Sequence, residues 1–373
     1  MKKIILILII VLESFLCNAQ NWKSGIGISG EIVKEVIEYN LDTLLAGVER
    51  NGVFISYDNG NNWKQFALKS ESVYSLIKIG KSIIAGTNGH DIYKANSINL
   101  PWERVIINNL VVNQLKFQND IVYACTWGTS GPGGIYLSSD KAITWQKYNI
   151  NPPYGFLNID LNTGGRIYTA TPDGAYYSDN QSPWVKTTGT WGTNWTVNYI
   201  GKDSIIYGNE IDGIFLSKDN GVSAQKLNIP ARRTFFIDNT IYAASQDELL
   251  YSESLNGSWK DMNLNKNVNR LTKIQDKLFA STTEGVYFYD GSITKIENIK
   301  NNDITVLPNP TNGLFELNGI GSEKFIFEIF NSMGQQVLKS QSLRNDISDF
   351  EPGIYILRVE HLNKIITFKI IKK

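Results

Sequence analysis

Leu44-Leu45-Ala46-Gly47-Val48-Glu49-Arg50-Asn51-Gly52-Val53-Phe54-Ile55-Ser56-Tyr57-Asp58-Asn59-Gly60-Asn61-Asn62-Trp63 is two apolar runs joined by a polar turn, with a second turn ending on tryptophan. Short β-branched and aromatic runs bounded by Gly, Asn and Asp read as strands in hairpins. The same order recurs down the chain. Aligned centres at Leu45, Ile84, Tyr123, Tyr168, Ile206, Tyr242 and Phe279 are 39, 39, 45, 38, 36 and 37 residues apart. Each run precedes a turn and a second strand, such as Gly134-Ile135-Tyr136-Leu137-Ser138 or Gly213-Ile214-Phe215-Leu216-Ser217. Four short strands in about 40 residues, repeated, predict the blades of a β-propeller, because one such unit cannot bury both its faces alone. Seven units predict an all-β chain with a seven-bladed propeller over 20–300.

The tryptophans give an independent count. Trp22, Trp63, Trp102, Trp145, Trp184 and Trp259 are spaced 41, 39, 43, 39 and 75, and Ala224 stands where the double gap lacks one. These six are assigned to the scaffold. Trp22 lies ahead of the first unit and is expected to pair with the last blade and close the ring. Residues 285–298 also hold a short fourth strand of their own.

Ser56-Tyr57-Asp58-Asn59-Gly60-Asn61-Asn62-Trp63 reads S-x-D-x-G-x-x-W. Ser138, Asp140 and Trp145 repeat it without the glycine, and Ser217, Asp219 and Gly221 repeat it without the tryptophan. This resembles the Asp-box, or BNR, repeat of sialidase-like propellers. The resemblance implies a structural role for Asp58, Asp140 and Asp219, on the face away from any active site. The chemistry agrees: a carboxylate can accept the turn's N–H groups, glycine permits positive φ, and tryptophan packs the next strand.

Both ends of the chain carry other information. Met1-Lys2-Lys3, the apolar run Ile4–Leu12 and Cys17-Asn18-Ala19 before Gln20 read as a signal peptide over 1–19. At the other end come Pro308-Asn309-Pro310, Asn312-Gly313, Asn331 through Gln335-Gln336-Val337, and Pro352-Gly353-Ile354-Tyr355-Ile356-Leu357-Arg358-Val359. This resembles the type A C-terminal sorting domain of the type IX secretion system, over 303–373. The resemblance implies an Ig-like β-sandwich, export across an outer membrane, and recognition by the secretion machinery and its sorting peptidase. A secreted or cell-surface protein, reached through the periplasm, is expected, without a transmembrane segment in the mature chain.

Composition narrows the function classes. Lys plus Arg and Asp plus Glu both number 36, so no global basic field draws nucleic acid, and none is expected as a partner. Without the signal peptide, Cys125 is the only cysteine, so no internal disulfide forms. Only His90 precedes the tail, which excludes a histidine metal cluster. No cofactor, metal or catalytic set is expected. Arg50, Arg166, Arg232 and Arg233 form no convincing triad of the sialidase kind.

The candidate binding residues lie in the second-to-third strand turns and the longer links. Glu49, Asp173, Glu210 and Asp212 stand in such turns, where acids outnumber bases and an acidic funnel is expected. Turn formation alone is the plainer account of the Asp-Gly pairs. Trp127 opens the glycine-rich insert up to Gly134, and Trp191 and Trp195 lie outside the scaffold register. Together they predict a binding surface for a glycan or a protein on the face opposite the Asp boxes. The alternatives are a glycan-processing hydrolase or an accessory and assembly factor.

Overall fold

The computed structural model describes residues 22–128, 133–148, 155–179, 182–255, 257–289, 305–318, 325–331, 335–361 and 364–373. The expected signal peptide, residues 129–132 of the glycine-rich insert and residues 290–304 lie outside them. Two compact units divide the chain, Met1–Ser292 and Ile293–Lys373. The described residues form strands and turns and contain no helix.

In the first unit the described residues form seven four-stranded antiparallel sheets. The first runs Val33–Asn40, Thr43–Val48, Gly52–Ser56, Lys64–Ala67 from inside to outside. The next five repeat this order, with inner strands Val73–Ile79, Val111–Gln118, Asn158–Leu161, Asn194–Gly201 and Arg233–Ile237. The seventh has Val268–Ile274, Lys277–Thr282 and Gly285–Tyr289, and its outer strand is Trp22–Ser24 from the start of the chain. Each inner strand packs on the next, and the seventh returns to the first, so the sheets close into a propeller ring. Trp22 opposite Tyr289 and Ser24 opposite Tyr287 make the closure anticipated from the tryptophan count. The competing fourth strand lies beyond the described residues.

The apolar runs follow from burial on both faces. All six residues of Thr43–Val48 are buried, so the second strand needs continuous apolarity rather than alternation. Its side chains still alternate in direction. Leu44 and Ala46 join Phe279, Val286 and Phe288 of the seventh sheet, whereas Leu45 joins Val73, Leu76 and Ile83 of the second. Each pair of neighbouring sheets encloses its own cluster in this way, so the core is shared around the ring. Gly47 and Gly86 are small because the next inner strand comes close. A Cβ on them would lie 2.8 Å from Val73 and 2.6 Å from Val112. Cys125 is fully buried in the third sheet, and burial pushes its thiol far up, so it is an inert apolar residue there.

The Ser-x-Asp turns behave as local devices. Ser56 Oγ donates to Asp58 at 2.9 Å and accepts from Gly60 N at 2.9 Å. Asp58 accepts from Asn62 N at 2.8 Å and from its side-chain amide at 2.7 Å. Burial alone would raise the Asp58 carboxyl, but these bonds outweigh it and hold it below its usual range. Asp140 with Thr144 and Asp219 with Ser223 repeat the pattern. The third turn position has φ of +86° at Gly60 and Gly221, but Ala142 occupies it at +64°. Left-handed backbone costs alanine about 1–2 kcal/mol, more than the extra chain entropy a glycine loses. Ala142→Gly is therefore expected to stabilise the protein by roughly 0.5–1 kcal/mol, read from the shift of a denaturant midpoint at unchanged m-value. A loss of stability would show that the Ala142 methyl, buried among the second and third sheets, outweighs the backbone strain.

In the second unit, Thr305–Leu307, Leu314–Asn318 and Arg344–Asp346 form one sheet. Gln336–Ser340, Phe325–Phe330, Gly353–His361 and Lys364–Lys372 form another. Val306, Phe315 and Leu317 from the first and Phe327, Ile329, Leu357 and Val359 from the second share one core.

Candidate functional site

The ring leaves a central cavity of about 340 Å³, lined by inner strands. Its mouth is built by a repeated irregularity. Five inner strands shift register at one residue: Lys34, Tyr74, Asn113, Trp195 and Asn269. A bulge re-aims a side chain. All five residues line the cavity, as do Leu157, just ahead of the fourth inner strand, and Arg233, which begins the sixth.

In five of the sheets the residue after the mouth position fastens the ring. Glu35 accepts from Leu76 N at 2.8 Å, Ser75 from Leu115 N at 2.9 Å and Gln114 from Ile159 N at 2.7 Å. Asn158 accepts from Val197 N at 2.9 Å and Thr196 from Thr234 N at 2.8 Å. Each buried N–H would otherwise lack a partner at a cost of about 1–3 kcal/mol. The mouth side chains thus stand on a rigid frame. The strand repeat alone does not display this layer. Its signal is a polar pair inside an apolar strand at one repeat position: Val33-Lys34-Glu35-Val36, Val73-Tyr74-Ser75-Leu76, Val112-Asn113-Gln114-Leu115.

The cavity is not the acidic funnel expected from the turns. Four cations line it: Lys34, Lys116, Arg233 and Arg270. Lys34 pairs with Glu49 at 2.7 Å, Lys116 with Asp160, and Arg270 with Glu35 at 3.4 Å. The turn acids are neutralised by lysines of outer strands and links: Asp173 by Lys186 at 3.0 Å, Asp212 by Lys226 at 2.6 Å, Glu284 by Lys266 at 2.5 Å. Lys186 holds the Asp173 carboxyl below its usual range, and Lys226 followed by Trp191 does so for Asp212. An outer strand returns its last lysine to the same sheet's inner turn, and a count of charges in the turns alone misses that.

Arg233 differs from the other cations. Among the described residues no carboxylate lies within ion-pair distance of it. Its Nη1 is buried without a hydrogen-bond partner, as is Nε of neighbouring Arg232. Its guanidinium lies 5.0 Å from the ring centre of Trp195. Burial, followed by repulsion from Arg232, pulls Arg233 down to about 10 against the attraction of Glu210, so it remains charged at neutral pH.

The residues singled out from sequence fall into separate groups. Trp195 lines the cavity, and its Nε1 donates to Glu210. Trp191 is 49% exposed, stands edge-on to Phe215 at 4.8 Å, and donates Nε1 to Asp212 at 2.7 Å. These four share the fifth sheet and the link entering it. Asp173, on the fourth sheet, bonds Tyr176 at 3.0 Å as well as Lys186. Glu49 lies on the first sheet. Trp127 ends a third-sheet strand, is 37% exposed, and rests against Gly155, where a Cβ would come within 2.7 Å of its ring. Of the other arginines, Arg166 is bound to Asp179 at 2.7 and 2.6 Å and Arg232 lies 3.9 Å from Glu210. His90 is a half-exposed turn residue, 2.6 Å from Glu71.

Comparison with known proteins supports both units. Residues 305–373 match the family model described as Secretion system C-terminal sorting domain. This sorting tail implies a secreted substrate of the type IX system, recognised by that machinery and exported to the cell surface or beyond. No curated protein matches the chain. Among solved structures, YCF48 bound to D1 peptide is similar at TM-score 0.59 and 14% identity, over 73% of this chain and 97% of that one. The WD40 beta propeller domain of Doa1 is similar at TM-score 0.56 and 12% identity, over 72% and 96%. The extracellular domain of the hybrid two-component system BT3049 from B. thetaiotaomicron gives TM-score 0.59 and 13% identity. There the match covers 95% of this chain and 58% of the other. At these identities the likeness concerns fold, and the fold is that of a β-propeller. No helix among the described residues is long and apolar enough to cross a membrane.

Proposed function

We propose that this chain is a type IX cargo whose working part is a seven-bladed, Asp-box β-propeller that binds a protein or glycan at the cell surface without catalysis. In this reading residues 1–19 are a signal peptide, the mature chain starts at Gln20, and 303–373 is an Ig-like sorting domain recognised and removed by the sorting peptidase. The binding face is the end carrying the second-to-third strand turns and the cavity mouth, with Trp127, Trp191 and Trp195 beside Glu49, Asp173, Glu210 and Asp212.

The observation that carries the proposal is the pinning of two indoles. Asp212 holds Trp191 and Glu210 holds Trp195 through their N–H groups, beside an open cavity. A pinned aromatic loses little entropy on binding, which makes it an effective anchor. Glycoside hydrolysis needs two carboxyl groups free to act as acid and as base or nucleophile. Here Glu210 and Asp212 each bond an indole and face a cation, which favours binding over hydrolysis. A protein ligand also accords with the similar YCF48, which is described with a peptide bound.

The test is a screen of the purified chain against glycans and surface proteins, with hydrolysis products monitored. Trp191→Ala is expected to weaken binding of the ligand found by roughly thirtyfold, as loss of an interface anchor does. The melting temperature should move little, since the ring is half exposed. Unchanged affinity, or turnover of the ligand, refutes the proposal.

A further inference from the structure

Around the cavity the charges pair off with one left over. Lys34, Lys116, Arg270 and Arg232 face Glu49, Asp160, Glu35 and Glu210 respectively. Arg233 has no such partner among the described residues, and its Nη1 is buried and unbonded. Leaving a buried guanidinium nitrogen without an acceptor is costly, so native structures seldom keep one unless something else supplies it. Trp195 covers a face of the guanidinium, and Arg233 itself lines the open cavity. A single negative charge entering the cavity that Arg233 lines would balance it. A planar carboxylate matches the guanidinium fork, and one excess positive charge suits a monoanion better than a doubly charged phosphate.

The surroundings of the mouth indicate what carries that carboxylate. In the same fifth-sheet turn as Glu210 and Asp212, Ile211 is 87% exposed, and its chain neighbour Asp212 holds half-exposed Trp191. Indoles accept sugar rings or peptide side chains. An exposed isoleucine offers no hydrogen bond to a sugar but does bury aliphatic side chains. We propose that the central cavity receives one Asp or Glu carboxylate of a polypeptide partner, bound by Arg233 over Trp195, while apolar residues flanking that acid lie on Trp191 and Ile211. This rests on the reading that this face binds a ligand, and adds the chemistry of what enters it.

The experiment pans a random peptide library on the full chain and then measures a selected peptide, blocked at both ends, by calorimetry. Selected sequences are expected to share one Asp or Glu flanked by apolar residues. Replacing that acid by its amide should cost roughly tenfold to hundredfold in affinity, the loss expected of a charge-assisted bond, and Arg233→Gln should cost as much. Made together, the two changes should cost no more than either alone. Free Arg233→Gln should melt no lower than the parent, because it removes a buried unpaired charge. If that variant does not fold, Arg233→Lys, which keeps the charge but loses the fork, carries the same cycle with a smaller coupling. Peptides without a shared acid, affinity that survives Arg233→Gln, additive losses, or equal binding of a uronic-acid oligosaccharide overturn the proposal. Loss of binding in Trp191→Ala but not in Arg233→Gln would remove the carboxylate site and keep the binding face. Loss in neither removes both.

Discussion

Replacing Trp63 by alanine is expected to cost about 3–5 kcal/mol, the range for truncating a large buried aromatic. Trp63 is 5% exposed and packs between the first and seventh sheets with Ile28, Val36, Phe54 and Phe288. Its Nε1 donates to Gly60 O at 2.9 Å, so truncation also removes a bond within the Asp58 turn. Its backbone N donates to Ile26 O at 2.8 Å, in the segment that leaves the closing strand. Gly25 accommodates the ring, since a Cβ there would sit 2.7 Å from Nε1. The cavity would therefore open where the two ends of the ring meet. Trp191→Ala, by contrast, exposes the edge of Phe215 and should cost about 1 kcal/mol or less, as half-exposed positions do. Chemical denaturation of the two variants decides the matter. Equal losses would mean that the division into scaffold and surface tryptophans is wrong.

Removal of the second unit, by ending the chain at Ser292, is expected to abolish delivery to the cell surface and leave the first unit folded. The physical ground is the closure: the seventh sheet takes its outer strand from Trp22–Ser24 and needs nothing after Tyr289. Each compact unit has its own apolar core. The truncated chain should keep its melting temperature and collect in the periplasm. Cell fractionation, with protease added to whole cells, reads the location. Undiminished surface delivery would refute the role assigned to the tail, and a collapse of the melting temperature would refute the independence of the ring.

Much of the scaffold was legible because it is repeated. Seven copies of one pattern average out local ambiguity, and the tryptophan spacing fixed the same period independently. Even the closing strand could be read, since Trp22 stands one period before Trp63. The candidate site was legible only in part. Trp191 and Trp195 stood out because they break the repeat register, and Glu210 and Asp212 because they lie in turns. That Trp195 bonds Glu210 and Trp191 bonds Asp212 was not visible, because those contacts join residues 15 and 21 positions apart across a sheet. The expected acidic funnel failed for the same reason. Lys186 and Lys226 lie 13 and 14 residues beyond the acids they neutralise, and only the return of the outer strand brings them back.

The sequence by itself determined the strand repeat, the hairpin turns and the sorting tail. All of these are local patterns, set by strand alternation, turn chemistry and ordered short motifs. The tertiary structure decided the charge and contents of the centre. Lys34, Trp195, Arg233 and Arg270 come from four different sheets and meet only because the ring closes. Whether a buried charge finds its counter-charge depends on distances across that ring. No spacing along the chain records them, so the cavity guanidinium of Arg233, with no acid in ion-pair distance among the described residues, became apparent only in three dimensions.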